Sequence, residues 1–506
     1  MNDAADTYLP EDLVIENILT RLPIRILDAQ YSRVSKLWCN SISINARFAK
    51  THFLHNNSHK LNLVFNLLNV WFAQGGASFF SLDDHYKFRL LFDLESDNKI
   101  EPVGYCNGFA CITKMRKNAY GPNLMTVINP IREETLSLPY YYYPTDDGEC
   151  EYLCHGFGFD SSTDEYKVVI IFTSKGNEEL ISMAFTLGTN LWRKSVTSVA
   201  QIFPAQGCSA YLSRQLVTRA ATLCGGDLFW RITNSAVEEE TAITYKHSHQ
   251  LHDNKKFGML LSFDIHKEKI QFIRLPTEFN LTPMPNVVIQ HHPLEHKGYP
   301  CVAQSEKTMT NITHCSCCCH NEQSRICCCC GRFTVQLYVL KDKEKQVWIK
   351  GETLGFQVRE LGSLPAPFCC YFETTTASTA SFPMRILSVS DQVLLYWFDG
   401  KCLKLYNLQT KHLEVVGAHS SCNNQSDLIF KIKMSESPPV QGVDDDNKMY
   451  CPYLDYQLHA RAENILSLKA FISAGDTTRY SFPVFGSSPS FRMCSITFRD
   501  RLLVPG

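Results

Sequence analysis

Residues 166–192 read YKVVIIFTSKGNEELISMAFTLGTNLW, and this stretch decides the fold. An apolar run at 166–172 is followed by a polar turn, and a second run at 183–185 turns near Gly188 into a third at 191–192. Short apolar runs separated by turns are typical of β-strands, whereas a helix repeats its apolar residues every three or four positions. The stretch therefore predicts one strand followed by an antiparallel hairpin.

The same unit recurs along most of the chain. Six hairpins are predicted between residues 61 and 417, and the first is expected to turn at Asp93. They begin at Phe88, Thr126, Met183, Leu260, Val335 and Leu403. When residues 284–331 are left out, the units recur about every 50 residues, the spacing of a kelch-type propeller blade. The repeat predicts a mainly antiparallel β-propeller of six or seven blades, with a β-sandwich or two smaller β-domains as the alternative.

The first 55 residues predict a small helical module instead. One face of an amphipathic helix is indicated by Ile15, Ile18, Leu19 and Leu22. Pro23 is expected to end this helix, and a second helical run is expected from residue 27 to residue 42. A module of about 50 residues is too small to have much core of its own. Its apolar residues are therefore expected to be covered by the rest of the chain or by another protein.

Four segments of this module resemble the F-box motif in order and approximate spacing. They are Leu9-Pro10-Glu11-Asp12-Leu13, Leu22-Pro23-Ile24-Arg25, Val34-Ser35-Lys36-Leu37-Trp38 and Phe48-Ala49-Lys50-Thr51-His52, within residues 9–53. In that family the helices bind the Skp-type adaptor that connects them to the cullin and RING subunits of a ubiquitin ligase. The resemblance implies that the adaptor contacts Leu9, Pro10, Leu13, Ile18, Leu19, Leu22, Pro23, Val34 and Trp38.

The module departs from the F-box pattern at two places. The interval from residue 9 to residue 22 is one residue longer than usual, as if Asn17 were inserted, and the interval from 25 to 38 is also one longer. One extra residue turns an α-helix by about 100°. Leu13 is therefore not expected to share a face with Ile18.

A second resemblance covers most of residues 100–280 and, more loosely, 333–417. It is carried by Gly104-Tyr105-Cys106-Asn107-Gly108-Phe109-Ala110-Cys111, Asn129-Pro130, Leu138-Pro139, Gly156-Phe157-Gly158-Phe159-Asp160, Glu165-Tyr166-Lys167-Val168-Val169, residues 186–193 and Leu261-Ser262-Phe263-Asp264. These segments look like the F-box-associated interaction domain. In that large plant family the region is propeller-like and selects proteins for ubiquitination.

These patterns divide the chain into three parts and define an α+β multidomain protein. Residues 1–55 are expected to be a helical module that resembles an F-box. Residues 61–417 are the propeller-like domain, with a Cys-rich insertion at 284–331. Residues 418–506 are a C-terminal extension that either stays unassigned or completes the propeller.

Composition excludes several classes of protein. The 506 residues include 49 Lys and Arg against 51 Asp and Glu, a net charge of −2, which argues against binding to nucleic acid through a basic surface. The N-terminal residues carry acids and no Lys or Arg before an apolar run, so they do not form a secretory signal. The most apolar stretch, 61–72, is too short to span a membrane. We expect a cytoplasmic or nuclear protein whose 22 Cys are mostly reduced.

The most unusual segment holds two runs of cysteine. Its candidate zinc ligands are Cys315, Cys317, His320, Cys327 and Cys330. Their spacing matches no standard zinc finger, so an incidental loop and a palmitoylated loop are alternatives, and no cofactor is expected. The nearby His291-His292-Pro293-Leu294-Glu295-His296 is expected to be a solvated loop, because Pro293 prevents a regular helix.

One aromatic run is a candidate for contact with a target. Tyr140, Tyr141, Tyr142 and Tyr143 lie between two prolines. Aromatic side chains on a connection bury much area at low entropic cost when a partner binds, although packing between strands explains the run equally well.

The sequence contains no motif of a hydrolase, a nucleotide-binding loop or a metalloprotease. We therefore expect a non-catalytic substrate receptor of an SCF-type ubiquitin ligase, whose helices bind the adaptor and whose propeller binds an unknown target. Two alternatives remain. The first is a free-standing propeller interaction module whose F-box is no longer used, and the second is a ligase enzyme with its own catalytic Cys.

Overall fold

The computed structural model describes most of the chain. Described are residues 9–56, 63–69, 75–82, 88–96, 100–115, 122–141, 150–174, 179–202, 215–217, 220–234, 259–276, 287–311, 326–357, 385–389, 392–398, 403–416, 454–460, 464–472 and 480–481. All that follows about the structure concerns these residues.

The N-terminal region is a succession of short helices. They are α1 (Glu11–Leu13), a π-helical turn (Val14–Ile18), a 3₁₀ turn (Leu19–Arg21), α2 (Ile24–Ala29), a second 3₁₀ turn (Tyr31–Arg33), α3 (Lys36–Ile44) and α4 (Ala46–Asn56). The helical run expected from residue 27 to residue 42 is interrupted, because Ser35 takes an extended conformation and caps α3. Its Oγ accepts a hydrogen bond from the Trp38 backbone N–H at 3.1 Å. No described helix is long and apolar enough to span a bilayer.

The π-helical turn accommodates the extra residue near Asn17. The Leu19 N–H donates to the Val14 carbonyl, five residues back, where an α-helix would use the carbonyl four back. Leu13 and Ile18, also five residues apart, are both exposed, while Ile15 and Leu19 are buried. One expectation was therefore wrong: Ile18 does not belong to the buried stripe.

Most of the described residues form small antiparallel sheets of consecutive strands. Sheet 1 contains β1 (Leu63–Asn69), β2 (Gly75–Leu82) and β3 (Phe88–Ser96). Sheet 2 contains β4 (Ile100–Cys106), β5 (Phe109–Met115), β6 (Pro122–Asn129) and β7 (Glu134–Ser137). Sheet 3 contains β8 (Cys150–Asp160), β9 (Glu165–Ser174), β10 (Glu179–Thr186) and β11 (Trp192–Ser198), followed by the short α5 (Val199–Ile202).

Three further sheets follow in chain order. Sheet 4 contains β12 (Gln215–Val217), β13 (Thr222–Cys224), β14 (Asp227–Asn234), β15 (Met259–Asp264) and β16 (Lys269–Arg274). Sheet 5 contains β17 (Val287–His296), β18 (Tyr299–Asn311), β19 (Ile326–Asp342) and β20 (Val347–Gln357). Sheet 6 contains β21 (Arg385–Val389), β22 (Gln392–Phe398), β23 (Leu403–Asn407) and β24 (His412–Val416).

Two strands from the C-terminal part return to the first sheets. β25 (Leu454–Ala460) pairs with β1 in sheet 1, and β26 (Tyr480–Ser481) pairs with β7 in sheet 2. Each sheet contacts the next through strands near its start, and β21 of sheet 6 contacts β25 of sheet 1. The contacts therefore form a closed cycle, which makes the region a β-propeller.

The apolar cores lie between neighbouring sheets. Between sheets 3 and 4 the core includes Ile171, Trp230 and Phe263, all fully buried. Gly156 and Gly158 allow this close approach, because a Cβ at Gly158 would lie 2.4 Å from Ile265 Cδ1. At the β4–β5 turn, Asn107 and Gly108 have φ of 47° and 84°, the positive values that a two-residue hairpin turn requires.

Five of the six predicted hairpins are present, and the first is not. β3 continues through Asp93 to Ser96, where the sequence predicted a turn. Asp93 is accommodated because it lies opposite Ser78 of β2, whose Oγ donates to Asp93 Oδ1 at 2.5 Å. A single acidic residue in a paired strand therefore gave a false turn signal.

The region 284–331 also differs from its prediction. It supplies β17, β18 and the first residues of β19, so it is part of sheet 5 and not an insertion beside the repeat. The expected solvated loop around His291 is strand β17, with His291 and His296 buried. Pro293 is tolerated because β17 is the edge strand of its sheet, where a missing N–H need not break a ladder bond.

Candidate functional site

The N-terminal helices present apolar side chains to solvent. We call Leu9, Leu13, Ile18, Val34 and Leu37 the outer face; each side chain is between 47% and 65% exposed. A concentration of exposed apolar residues on so short a segment is typical of a surface that binds another protein. The chain itself does not cover this face in the described structure.

A hydrogen bond joins the two segments that carry the outer face. The Trp38 Nε1–H donates to Glu11 Oε1 at 2.6 Å, which ties α1 to α3. Tyr31 stacks on the Trp38 ring with centroids 5.8 Å apart. Glu11, Tyr31 and Trp38 therefore hold the start of the chain beside the segment 34–37 and keep the outer face together.

The residues predicted for adaptor contact fall into three groups. Exposed to solvent are Leu9, Pro10, Leu13, Ile18, Pro23 and Val34. Leu22 and Trp38 are half-buried against the core, and Leu19 is buried. Leu19 therefore belongs to the intramolecular packing and cannot contact a partner in this arrangement. Leu37 was missed, although it precedes Trp38 within the quoted motif and is exposed.

A second set of apolar side chains on the helices is buried. We call Ile15, Leu19, Ile24, Leu27, Ile42 and Phe48 the inner face; all are buried. They belong to one apolar cluster with residues of sheets 2 and 3, such as Phe109 and Tyr166, and with Leu466 from the C-terminal part. The helical module has no separate core, as its small size predicted, and the propeller completes its packing.

Helix α4 supports the turn at the Leu22-Pro23 motif. Buried His52 donates from Nε2 to the Leu22 carbonyl at 2.9 Å and stacks on Phe48. Its Nδ1 has no hydrogen-bond partner in the structure. Burial lowers the pKa of His52, partly offset by the Leu22 carbonyl, so the neutral imidazole is favoured. The Asn56 amide donates to the Thr20 carbonyl at 3.0 Å and secures the same turn.

Five cysteines of the described strands are not arranged for catalysis. Cys106, Cys111, Cys154 and Cys224 are buried, and burial raises the pKa of each thiol. Burial also raises the pKa of Cys301 to about 12. A nucleophilic cysteine needs a lowered pKa and some exposure. These five thiols therefore pack as small apolar groups.

The candidate metal ligands lie mostly outside the described residues. Cys315, Cys317 and His320 are outside them, while the backbone of Cys327 and Cys330 is in β19. Among the described side chains, no group of three or more His, Cys, Asp or Glu could hold a metal ion. The zinc site stays a sequence hypothesis.

Of the two candidate tyrosines that the structure describes, Tyr140 is free to contact a target. Tyr140 is exposed, whereas Tyr141 packs on Trp192 and Phe172 with centroids 5.6 and 6.0 Å away. Tyr142 and Tyr143 lie outside the described residues. Strand packing therefore accounts for Tyr141.

Comparison with known proteins finds relatives among plant F-box proteins. Residues 68–209 match the model of the family described as F-box associated beta propeller domain. An F-box/kelch-repeat protein of Arabidopsis thaliana is 25% identical over 252 residues, which are 47% of this chain and 64% of that protein. An F-box protein of the same plant is 29% identical over 175 residues, which are 33% of this chain and 38% of that protein.

These alignments cover less than two thirds of either relative. Among solved structures, one chain of a nidogen/laminin complex aligns with 71% of this chain and 94% of its own length, at 8% identity and a TM-score of 0.29. A score this low carries no argument about fold, so the propeller assignment rests on the sheets of this chain and on the family match.

Proposed function

We propose that this protein, a relative of plant F-box proteins with an F-box associated domain, is the substrate-receptor subunit of an SCF-type ubiquitin ligase. In this proposal the outer face of the helices binds a Skp-type adaptor, and through it the cullin and RING subunits. The propeller binds a target protein. The chain itself is not an enzyme, and it acts in the cytoplasm, the nucleus or both.

The observation that carries the proposal is the unequal coverage of the two faces. The inner face packs within one cluster with sheets 2 and 3, while the outer face stays exposed. A module that served only to pack against the propeller would have no use for five exposed apolar residues held together by the Trp38–Glu11 bond. A protein partner that covers the outer face would bury them.

The propeller supplies the second binding surface. In this proposal the six sheets are six blades, and the pairing of β25 with β1 closes the ring. Propellers present the loops between their strands on two open sides, and loops on a rigid scaffold commonly carry binding specificity. Of the tyrosines that the structure describes in this run, Tyr140 is exposed, and it is our first candidate for target contact.

Catalysis in this proposal comes from proximity. The adaptor and cullin subunits bring a conjugating enzyme close to a target on the propeller, which raises the effective concentration of the reacting lysine. The five buried thiols support a chain that adds no nucleophile of its own.

Substitutions on the outer face test the proposal. We expect Val34→Asp and Leu37→Asp each to weaken binding of a purified Skp-type adaptor at least about tenfold, since a charge at the centre of an apolar interface is poorly tolerated. Both side chains are exposed, so the melting temperature should change little. Leu191→Asp is the matched control, because Leu191 is 75% exposed on the propeller.

Isothermal titration calorimetry measures the adaptor affinities of the three variants and of the wild type. Equal affinities for the two outer-face variants and the wild type, or no binding by the wild type, would contradict the proposal. The double variant Val34→Asp/Leu37→Asp also provides a target trap for affinity purification. It is preferable to deletion of the helices, which would expose the buried residues Phe109 and Tyr166.

The same preparation distinguishes the enzyme alternative. Incubated with activating and conjugating enzymes alone, the chain is expected to form no reducible ubiquitin thioester. A thioester that disappears when one Cys is replaced by Ser would favour the ligase enzyme instead.

A further inference from the structure

A segment near the C-terminus lies between the helices and the propeller. We call residues 464–472 the strap; it follows β25 and contains a 3₁₀ turn at Leu468–Phe471. Ile465, Leu466 and Leu468 are buried and belong to the same apolar cluster as the inner face.

The strap is fixed to sheets 2 and 3 by buried amide groups. Asn464 Nδ2 donates to the Asn107 carbonyl at 2.9 Å and to the Tyr166 hydroxyl at 3.0 Å. Asn129 Nδ2 donates to the carbonyls of Asn464 and Leu466 at 2.9 and 3.1 Å. Each of these donors is buried, so these bonds are costly to break without replacement.

A buried carboxylate holds the next turn of the strap. Glu134 accepts from Ser467 Oγ at 2.9 Å and from the Leu468 N–H at 2.7 Å. Arg132 Nε donates to the same carboxylate at 3.0 Å and balances its charge. Hydrogen bonds to an ionised group are stronger than those between neutral groups, which makes Glu134 the strongest attachment of the strap.

The other side of the strap faces the helices. The Ser467 N–H donates to the Ser43 carbonyl of α3 at 2.8 Å. Arg132 Nη1 donates to Asp28 of α2 at 2.9 Å and to the Ile465 carbonyl at 3.3 Å, so one guanidinium joins helices, strap and sheet 2. Lys50 of α4 and Asp164 of the β8–β9 turn also pair directly at 2.8 Å, but both are half-exposed, and such pairs contribute little.

We infer that the strap is a positioning element that holds the helical module and the propeller in one relative orientation. The inference rests on the proposed function for its consequence: a receptor with one orientation presents the same surface of the propeller to the conjugating enzyme in every complex. The buried contacts on both sides of the strap supply the rigidity, and the outer face and the propeller loops remain available to partners. Glu134 and Asn129 are the positioning residues that act through it.

A matched pair of substitutions tests the strap. Leu468→Asp places a carboxylate in a fully buried position, and Ala470→Asp places the same group two residues away at an exposed one. Spin labels on non-natural amino acids at positions 54 and 191, both exposed leucines, report the distance between α4 and sheet 3 by electron–electron double resonance.

We expect one narrow distance distribution for the wild type and for Ala470→Asp, and a distribution at least twice as wide for Leu468→Asp. A narrow distribution in all three proteins would overturn the inference. If Leu468→Asp fails to fold, Glu134→Gln replaces it, because glutamine keeps the shape of the side chain and loses the charged acceptor. Glu134→Gln is then expected to widen the distribution, and an unchanged width would overturn the inference in the same way.

The functional arm uses self-ubiquitination in the complete complex, read by mass spectrometry as the set of modified lysines. The wild type is expected to be modified at a restricted set of lysines, and Leu468→Asp at a wider set, with adaptor affinity within about twofold of the wild type. The same lysines in both proteins would overturn the positioning role. If the wild type does not bind the adaptor, the proposed function is rejected instead. The distance measurement would still test whether the strap fixes the orientation of the helices.

Discussion

The inner and outer faces of the N-terminal helices have similar apolar residues and opposite surroundings. Ile42 belongs to the inner face and is 0% exposed, whereas Ile44, two residues later in α3, is 46% exposed, much like the residues of the outer face. Composition does not distinguish them; what differs is whether the strap and the propeller cover the side chain. The comparison shows that the helices obtain their stability on one side from the rest of the chain, which leaves the other side available for a partner.

The largest effect is expected when the inner face is truncated. Ile42→Ala should lower the free energy of unfolding by about 2–5 kcal/mol, because it removes buried methyl groups and leaves a cavity. Ile44→Ala, the same substitution two residues away, should cost less than about 1 kcal/mol, because its side chain is already half in water. Urea unfolding of the two variants measures the difference. Equal losses would mean that the two faces do not differ as described.

A smaller effect is expected from the protonation of His52, which reports on the inner face alone. The pKa of His52 is lowered in the folded protein, chiefly by burial, so the unfolded chain binds a proton more readily. The stability that depends on neutral His52 is present above the ordinary histidine pKa of about 6.5 and is lost as the pH falls from there toward the lower folded pKa. We therefore expect stability to fall between pH 7 and pH 5.

His52→Gln provides the comparison for this pH dependence, since a glutamine amide can still donate to the Leu22 carbonyl. Its stability should fall less steeply over the same range. Subtracting the two curves removes the contribution of His291 and His292, whose pKa values burial also lowers, to about 2 and about 3. Parallel curves would show that His52 is not buried as a neutral group.

Much of this arrangement could be predicted from the sequence, because the signals are local. The strands at 166–172 and 183–185 follow from their apolar runs and turns, and Asn107-Gly108 forms the turn that its residues favour. The short helical module follows from its spacing. Local periodicity is sufficient wherever a segment packs against its immediate neighbours in the chain.

The parts that could not be predicted depend on distant contacts. The strap binds Asn107 and Glu134, which lie more than 300 residues earlier in the chain. No short-range sequence pattern predicts these contacts. The exposure of Ile18 depends on a π-helical turn, which the usual helical spacing does not anticipate. In sheet 5, the start of β19 could not be predicted, because its run of cysteines lacks the apolar alternation that is typical of a strand.

The smallest effect is expected from deletion of Asn17. This variant tests whether the π-helical turn affects adaptor binding by the outer face. The sequence alone predicted that the extra residue would keep Leu13 from sharing a face with Ile18. The π-helical turn already keeps both residues exposed, so deletion should convert it to an α-helical turn and change adaptor affinity by less than about threefold. A gain of tenfold or more would show that the π-helical turn impairs the outer face.

The most direct test of the central claim is hydrogen–deuterium exchange of the full-length protein with and without a Skp-type adaptor. The amides of residues 11–18 and 36–39, which carry and adjoin the outer face, should exchange more slowly in the complex. Those of the strap and of β4 to β11 should be unchanged, because they are already covered by the chain. Protection in the strap or the propeller with none at the outer face, or no protection anywhere, would contradict the division of the helices into a covered face and a binding face.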